Sequence, residues 1–525
     1  MGILGQTSIK IKAAWAWALN AFFGTPAKQP VGNTPNPYTV AERLLQKSYF
    51  PSQRPNADEI PPVFASTTFT LDVARKIAPL LPKKNSGFDA VEYFLTRSDG
   101  QLRASHIPHP LAYACLVLSL EKNWANIPDI FNNKNSYIRP RFHKDGRLIV
   151  MKYDSWLTKT LKSLQWRGSA RYIATADISN FFPSIYTHSI GWAVDSVKNA
   201  KNSKGTAWYD DLDRNLRLTK RNETNGVLIG PATSNIITEI ILWKVDEKLR
   251  SRNFKFYRHV DDYKCYCDTL EEAESFIASI SRFLGTYKLY LNTRKSGIAS
   301  LPFANDEPWV IDLRSISNSL SQELSSSQVS FFIDQVVNIS KRYENLNAYK
   351  YASSVLSSRT LNENSKITAF LALVGLSQFA PNLITTLYRF LPKKSSFAKH
   401  DLGSHLVKLL HESIRYNRSD AIVWLIYLIH ESGGQLPDDA VDKLIATREC
   451  VACLMISAYG TKQQIGKVRK MALQALKSPD DYVRHTQWLL VYELYRTGII
   501  KSCGADKPWF DIMKAEGVKF CSVLN

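Results

Sequence analysis

The 525-residue sequence predicts an α+β protein whose second half is all-α. Three observations carry that prediction. Strand-like alternation appears at 171–178 and 254–260, with helical spacing at 111–127 and 227–249 around it. From about residue 315 the strand signals fade and short helices follow in series. The composition, 45% hydrophobic and 11% aromatic, supports a packed core and excludes a disordered chain. The expected division is an N-terminal segment and linker at 1–65, a mixed unit at 66–310 and a helical region at 311–525.

Taken in order, residues 13–23 are mostly apolar and follow Lys10 and Lys12. Asn20 and two tryptophans interrupt the pattern, and no Ala-x-Ala cleavage pattern follows. The stretch reads as an amphipathic helix rather than a signal peptide. Residues 24–38 and 51–62 are rich in Pro and read as linkers. A hairpin is expected at 139–150, turning at Asp145-Gly146. In the helical region, Ile367, Phe370, Leu371 and Val374 fall on one face, and 421–431 forms an apolar helix ending at Gly433-Gly434. Ser478-Pro479-Asp480-Asp481 resembles a capped helix start continuing through Val483 to Leu494. The series reads as stacked helix pairs, HEAT-like by analogy only, since no exact period recurs.

Lys plus Arg total 67 against 47 Asp plus Glu, a net charge of +20. Such a surplus points to a polyanionic partner. Nine basic and two acidic residues lie between residues 139 and 171. Seven scattered cysteines argue against a disulfide scaffold and for a reducing cytoplasm. No apolar run reaches the roughly 18–20 residues of a membrane span, so no membrane partner is expected.

Chemistry concentrates in four places. Arg171 to Asp177 is a strand ending in one carboxylate, followed by Phe181-Phe182 and Pro183-Ser184. Alone, Asp177 could equally cap a helix. Asn225 to Asn235 contains Gly226, Gly230 and Pro231, a loop that lets backbone approach a base or sugar ahead of a helix N-terminus. Asp261-Asp262 lies at the tip of a second alternating hairpin. Adjacent acids repel unless a cation binds them, and two carboxylates with a third from a neighbouring strand suit a two-Mg²⁺ site. Last comes Leu289 to Ser296, with Asn292 and Lys295. Cys450-x-x-Cys453 is half a zinc pattern without its second half, and reads as core.

In that order the four segments resemble the palm motifs A to D of reverse transcriptases. The resemblance spans about residues 90–300 and implies a fingers–palm fold. It further implies that Asp177 and Asp261 bind two metal ions, with Asp262 in support and Ile178 counted in the metal set. Mg²⁺ is the implied ion, with Mn²⁺ as the alternative. Phe182, five residues after Asp177, takes the steric-gate position and implies dNTP use. Gly230 and Pro231 would approach the nucleotide, Arg141, Lys144 and Arg147 would clamp its triphosphate, and Lys295 would neutralise the leaving pyrophosphate. Two departures are His259, where an aromatic is usual before the Asp pair, and Leu228, where proline is common.

Tyr186-Thr187-His188-Ser189-Ile190, the Gly230 to Glu239 stretch and Tyr257 to Asp262 are similar to the abortive-infection (Abi) reverse transcriptases, in their AbiK-like, prophage-encoded branch. That resemblance implies a helical domain in place of the thumb. It also implies untemplated DNA synthesis primed from a tyrosine, leaving single-stranded DNA covalently attached, in bacterial defence against phage. A homo-oligomer in the bacterial cytoplasm is implied as well. None of the 24 tyrosines is singled out as primer; Tyr38 and Tyr49 are candidates as members of flexible N-terminal segments. The alternatives are an RNA-templated, retron-like reverse transcriptase and a non-catalytic nucleic-acid-binding scaffold.

Overall fold

The computed structural model describes residues 35–524 apart from 52–58, 151–155, 169, 303, 305 and 400. The apolar stretch at 13–23 and most of the first linker fall outside the described residues. Helix α1 (Pro37–Lys47) leads to a hairpin of β1 (Val91–Thr96) and β2 (Leu102–Ile107), registered from Val91↔Ile107 to Thr96↔Leu102. Helix α2 (Pro110–Asn123) starts on a proline, whose missing N–H costs nothing at a first turn. It is buried on nearly every side, which explains its lack of a polar face.

The sheet that follows holds β3 (Tyr172–Asp177), β4 (Phe256–His259), β5 (Asp262–Cys267) and β6 (Gly297–Ser300). They are antiparallel in the order β4-β5-β3-β6. Between β3 and β4 the chain makes α3 (Ala232–Arg250), and after β5 it makes α4 (Leu270–Gly285). Thr269 caps α4 by accepting the Glu272 N–H, and Glu271 and Glu272 sit in its positive first turn. Helix α4 packs on β3 and β5. Ala174, Ala176, Cys265, Cys267, Ile236, Ile240, Phe276 and Ile280 share the resulting core. All seven cysteines are free and buried.

The later region is helical, with capping boxes starting Ser326–Arg342 and Lys462–Leu476. Its central helices, α5 (Ser419–Glu431) and α6 (Cys450–Tyr459), are apolar and buried. A two-residue parallel pairing, Glu323–Leu324 with Thr360–Leu361, is a strand element that the sequence reading lacks. The described residues from Pro37 onward fold as one compact unit. Asp420 of α5 accepts the Thr96 N–H and hydroxyl at 2.8 and 2.5 Å. Trp488, first residue of α7 (Trp488–Arg496), donates to the Ile107 carbonyl at 3.3 Å. The C-terminal residues return to the start, with Ala65 N donating to Phe520 O at 3.0 Å and Ser522 N to Val63 O at 2.8 Å. No helix among the described residues is long and apolar enough to cross a membrane.

Several local expectations change. Tyr49 is fully buried, its hydroxyl donating to the Pro108 carbonyl and its ring stacked 5.6 Å from Phe520. It belongs to the core, not to a flexible segment. The 141–148 stretch pairs back on itself through Arg141 N to Leu148 O and His143 N to Arg147 O, but forms no regular strand. Residues 293–295 form a turn, and the strand β6 follows Lys295. Asp480, not Ser478, caps the helix at Asp481–His485, and a break at Thr486-Gln487 separates it from α7.

Candidate active site

Antiparallel pairing brings three carboxylates to one end of the sheet. The β3–β5 register sets Asp177 opposite Asp262, and the β4–β5 register sets His259 opposite Asp262. Val260 and Asp261 make the two-residue turn between β4 and β5. Val260 has φ of +62°, a left-handed conformation that a β-branched residue seldom adopts. Asp261-Asp262 is thus not a symmetric hairpin tip: Asp261 is in the turn, while Asp262 is already in the strand.

The backbone of Asp177 is fixed from the far side by the 289–296 turn. Its N–H donates to Ser296 Oγ at 3.1 Å, and its carbonyl accepts the Asn292 N–H at 2.8 Å. Ile178 is buried and bridges to Leu291. The Lys295 Nζ lies 3.6 Å from Asp177 Oδ2. Burial, with Asp177 adding negative charge, raises the pKa of Asp261, while Arg103 and Lys295 oppose the rise. Asp262 is pushed up to about 6 by burial, by hydrogen bonding to Asp177 and by the charges of Asp261 and Asp177.

Behind the hairpin lies a second charge cluster. Arg258 is completely buried and donates from Nη1 and Nη2 to Glu239 at 2.7 Å each, and from Nε to Asp246 at 2.9 Å. Its Nη1 also donates to the Val260 carbonyl at 3.1 Å, so the guanidinium holds the strained turn directly. Tyr263 and Asn133 donate to Asp246 at 3.0 and 2.6 Å, and Ser136 donates to Glu239 at 3.1 Å. Burial opposes the charge on Arg258, but Asp246 and Glu239 outweigh it and hold the group protonated. The sequence reading missed this trio. Its one signal was available: Glu239 and Asp246 are seven residues apart, on one face of α3.

A cavity of about 220 Å³ has a lining that includes Phe182, Gly230, Arg147, Arg103 and Asn235. Gly230 has φ of +127°, and a Cβ there would lie 2.8 Å from both the His106 carbonyl and Ser105 Oγ. Only glycine lets the loop dock this closely on β2, where His106 N donates to Ile229 O at 2.7 Å. The same loop is fastened to Phe182, whose carbonyl accepts the Val227 N–H at 3.0 Å. Pro231 is buried at the N-cap of α3. Arg147 is buried and donates twice to Asp145, at 2.9 and 2.7 Å. Lys144 is exposed, and neither it nor Arg141 lines the cavity. Arg103, on β2, is a cation that the sequence reading did not select.

Among the described residues no group of three or more His, Cys, Asp or Glu side chains is arranged to hold one metal ion. The donor chemistry nonetheless suits a hard divalent cation: the set is all oxygen, and burial together with the neighbouring carboxylates raises two of its members. Cys450 and Cys453 lie side by side in the buried α6, where burial raises both thiols. They pack as core.

Residues 120–331 match the family described as reverse transcriptase (RNA-dependent DNA polymerase), a span that includes Asp177, Gly230, Asp261, Asp262 and Lys295. Among solved structures, the chain is similar to apo telomerase from Candida tropicalis at 11% identity and a TM-score of 0.31, over 81% of this chain and 76% of that one. It is also similar to telomerase from Candida albicans in complex with a TWJ fragment of telomeric RNA, at 10% identity and a TM-score of 0.28, over 78% and 67%. No curated protein matches the sequence. The family match over the carboxylate-bearing sheet makes residues 120–331 a reverse transcriptase domain, a polymerase unit of the nucleotidyltransferase type.

Proposed function

We propose that the protein is a DNA polymerase of the reverse transcriptase class, template-independent and primed by one of its own tyrosines. The observation that carries the polymerase reading is the register that opposes Asp177 and Asp262 beside Asp261. Asp177, Asp261 and Asp262, with Ile178 next in the chain, would hold Mg²⁺, or Mn²⁺ in its place. Bound as a pair, such ions neutralise the attacking and leaving oxygens of an in-line phosphoryl transfer.

The chain's own residues do the rest. Phe182 narrows the cavity where a ribose 2′-OH would sit and so selects dNTPs. Gly230 and Pro231 bring backbone up to the nucleotide. Arg103 and Arg147 give the cavity positive charge for the triphosphate, with Arg141 and Lys144 farther out on the same stretch as Arg147. Lys295 neutralises the departing pyrophosphate. In the priming step the tyrosine oxygen bonds to the α-phosphorus of a dNTP and pyrophosphate leaves. Tyr290 is the first tyrosine to test: it is 68% exposed, and its carbonyl accepts the Ser179 N–H at 2.9 Å.

The remaining parts of the proposal rest on the abortive-infection resemblance. They are a functional boundary near residue 310, a HEAT-like helical region in the place of a thumb, a homo-oligomer, and a cytoplasmic role in bacterial defence against phage. The test is incubation of the full chain with dNTPs and Mg²⁺ and no added nucleic acid. DNA that migrates with protein until proteolysis, and a nucleotide-bearing tyrosine in mass spectra after nuclease treatment, are the expected results. Synthesis only with one co-purified RNA would replace this reading with a templated one. Nucleic-acid binding that survives chelation, without incorporation, would leave a scaffold.

A further inference from the structure

Tyr186 and His188 follow Asp177 closely yet take no part in the site above. They line a second cavity, of about 390 Å³, together with Trp192, Lys201, Lys204 and Asp213. Three features of its wall point to a ligand. Asp213 is 6% exposed, and its Oδ2 pairs with His188 Nδ1 at 3.0 Å and Arg217 Nε at 3.1 Å. Its Oδ1 is buried without a hydrogen-bond partner. A buried carboxylate oxygen left without a donor is costly, and an incoming N–H would remove that cost. Tyr186 and Trp192 are half-buried rings with centroids 5.3 Å apart, partly open for stacking. Lys201 and Lys204 are exposed and carry no carboxylate partner among the described residues.

A buried acceptor, the half-buried Trp192 ring and unpaired cations around one cavity are complementary to a flat base with an N–H edge and an attached phosphate. We propose that this cavity binds one deoxynucleotide unit. The base stacks on Trp192 with Tyr186 at its edge, an N–H of the base donates to Asp213 Oδ1, and the phosphate meets Lys201 and Lys204. Lys288, with Nζ 3.7 Å from the Tyr186 ring centroid, adds a further cation beside the stack. The wall is tied to the glycine loop of the candidate active site: Thr187 N donates to Thr224 O at 2.9 Å and Gly226 N to Ile185 O at 2.7 Å. Occupancy therefore bears on the loop that carries Gly230. The unit has two sources, a free nucleotide or a nucleotide within a DNA strand.

The site requires no catalysis, so it can be tested in EDTA with the full chain, and failure of the polymerase reading would leave it standing. The probes are 8-azido-dAMP and a short oligodeoxyadenylate carrying one 8-azidoadenine, with adducts mapped by peptide mass spectrometry after irradiation. Adducts on Tyr186 or Trp192 are expected. Labelling by the mononucleotide identifies a free-nucleotide site, and labelling by the oligonucleotide alone identifies a strand site. Trp192→Ala should weaken dAMP or oligonucleotide binding by about tenfold, as for the loss of one stacking partner. The exposed pair Lys201→Ala/Lys204→Ala should lower it several-fold without disturbing the fold. Absence of adducts in this cavity with both probes, or binding unchanged in the double lysine variant, would overturn the proposal.

Discussion

Two groups of charged side chains share the β4–β5 hairpin and are balanced in opposite ways. Behind it, Arg258 meets Glu239 and Asp246 with every oxygen of the pair engaged. In front, Asp177, Asp261 and Asp262 lie together, with Lys295 beside Asp177 and Arg103 acting on Asp261, and two of the three are raised. The first cluster sets one guanidinium against two carboxylates, with every carboxylate oxygen hydrogen-bonded, and fixes geometry. The second is left negative and is suited to receive a cation. Val260 connects them: its carbonyl is held by Arg258, and its neighbour is Asp261.

The largest effect should come from the unbalanced side. Asp261→Ala is expected to abolish DNA synthesis, measured as incorporation of labelled dNTP, while leaving the melting temperature of the chain near or above that of the parent. Next comes the balanced side. Arg258→Met leaves two buried carboxylates without their cation and should cost about 3–5 kcal/mol of stability, measured by denaturant unfolding. Replacing the trio together with apolar residues should recover most of that loss, but not the activity, if the guanidinium also positions the turn. Gly230→Ala is a smaller and more local break. Its Cβ would meet the His106 carbonyl at 2.8 Å, so the loop should lift from β2 and raise the KM for dNTP.

The smallest effect is a pH slope. Asp262 has a folded pKa of about 6 against an ordinary 3.8, so between about pH 4 and 6 the folded chain holds a proton that the unfolded chain releases. Stability in the absence of metal should fall as pH rises through that window and level off above it. Asp262→Asn should lessen the slope, the remainder belonging to Asp261 and the other raised carboxylates. Equal slopes in both proteins would show that Asp262 is not crowded as described.

Much of the candidate site was legible because its residues are spaced by local rules. A strand ending in Asp177, a glycine loop before a helix and an Asp pair after an alternating strand are each short-range patterns. Their meeting was legible only through their order, since no local pattern gives the Asp177↔Asp262 register. The Arg258 trio was not legible as a unit, because a buried arginine and two helix acids look like ordinary surface charges until tertiary packing joins them. Tyr49 misled for the same reason: Pro-rich surroundings suggested a flexible segment, yet its ring is enclosed by Tyr113, Trp488 and Phe520 from distant parts of the chain. Charge counting over Arg141, Lys144 and Arg147 ignores partners, and Asp145 engages Arg147.

On the proposed function, the front cluster binds divalent metal for polymerisation. The most direct measurement is the Mg²⁺-induced change in melting temperature at pH 7.5, for the parent chain and for Asp177→Asn/Asp261→Asn. A rise that saturates with Mg²⁺ in the parent and is absent from the double variant is expected. An equal rise in both, or none in the parent at concentrations that support dNTP incorporation, would contradict it.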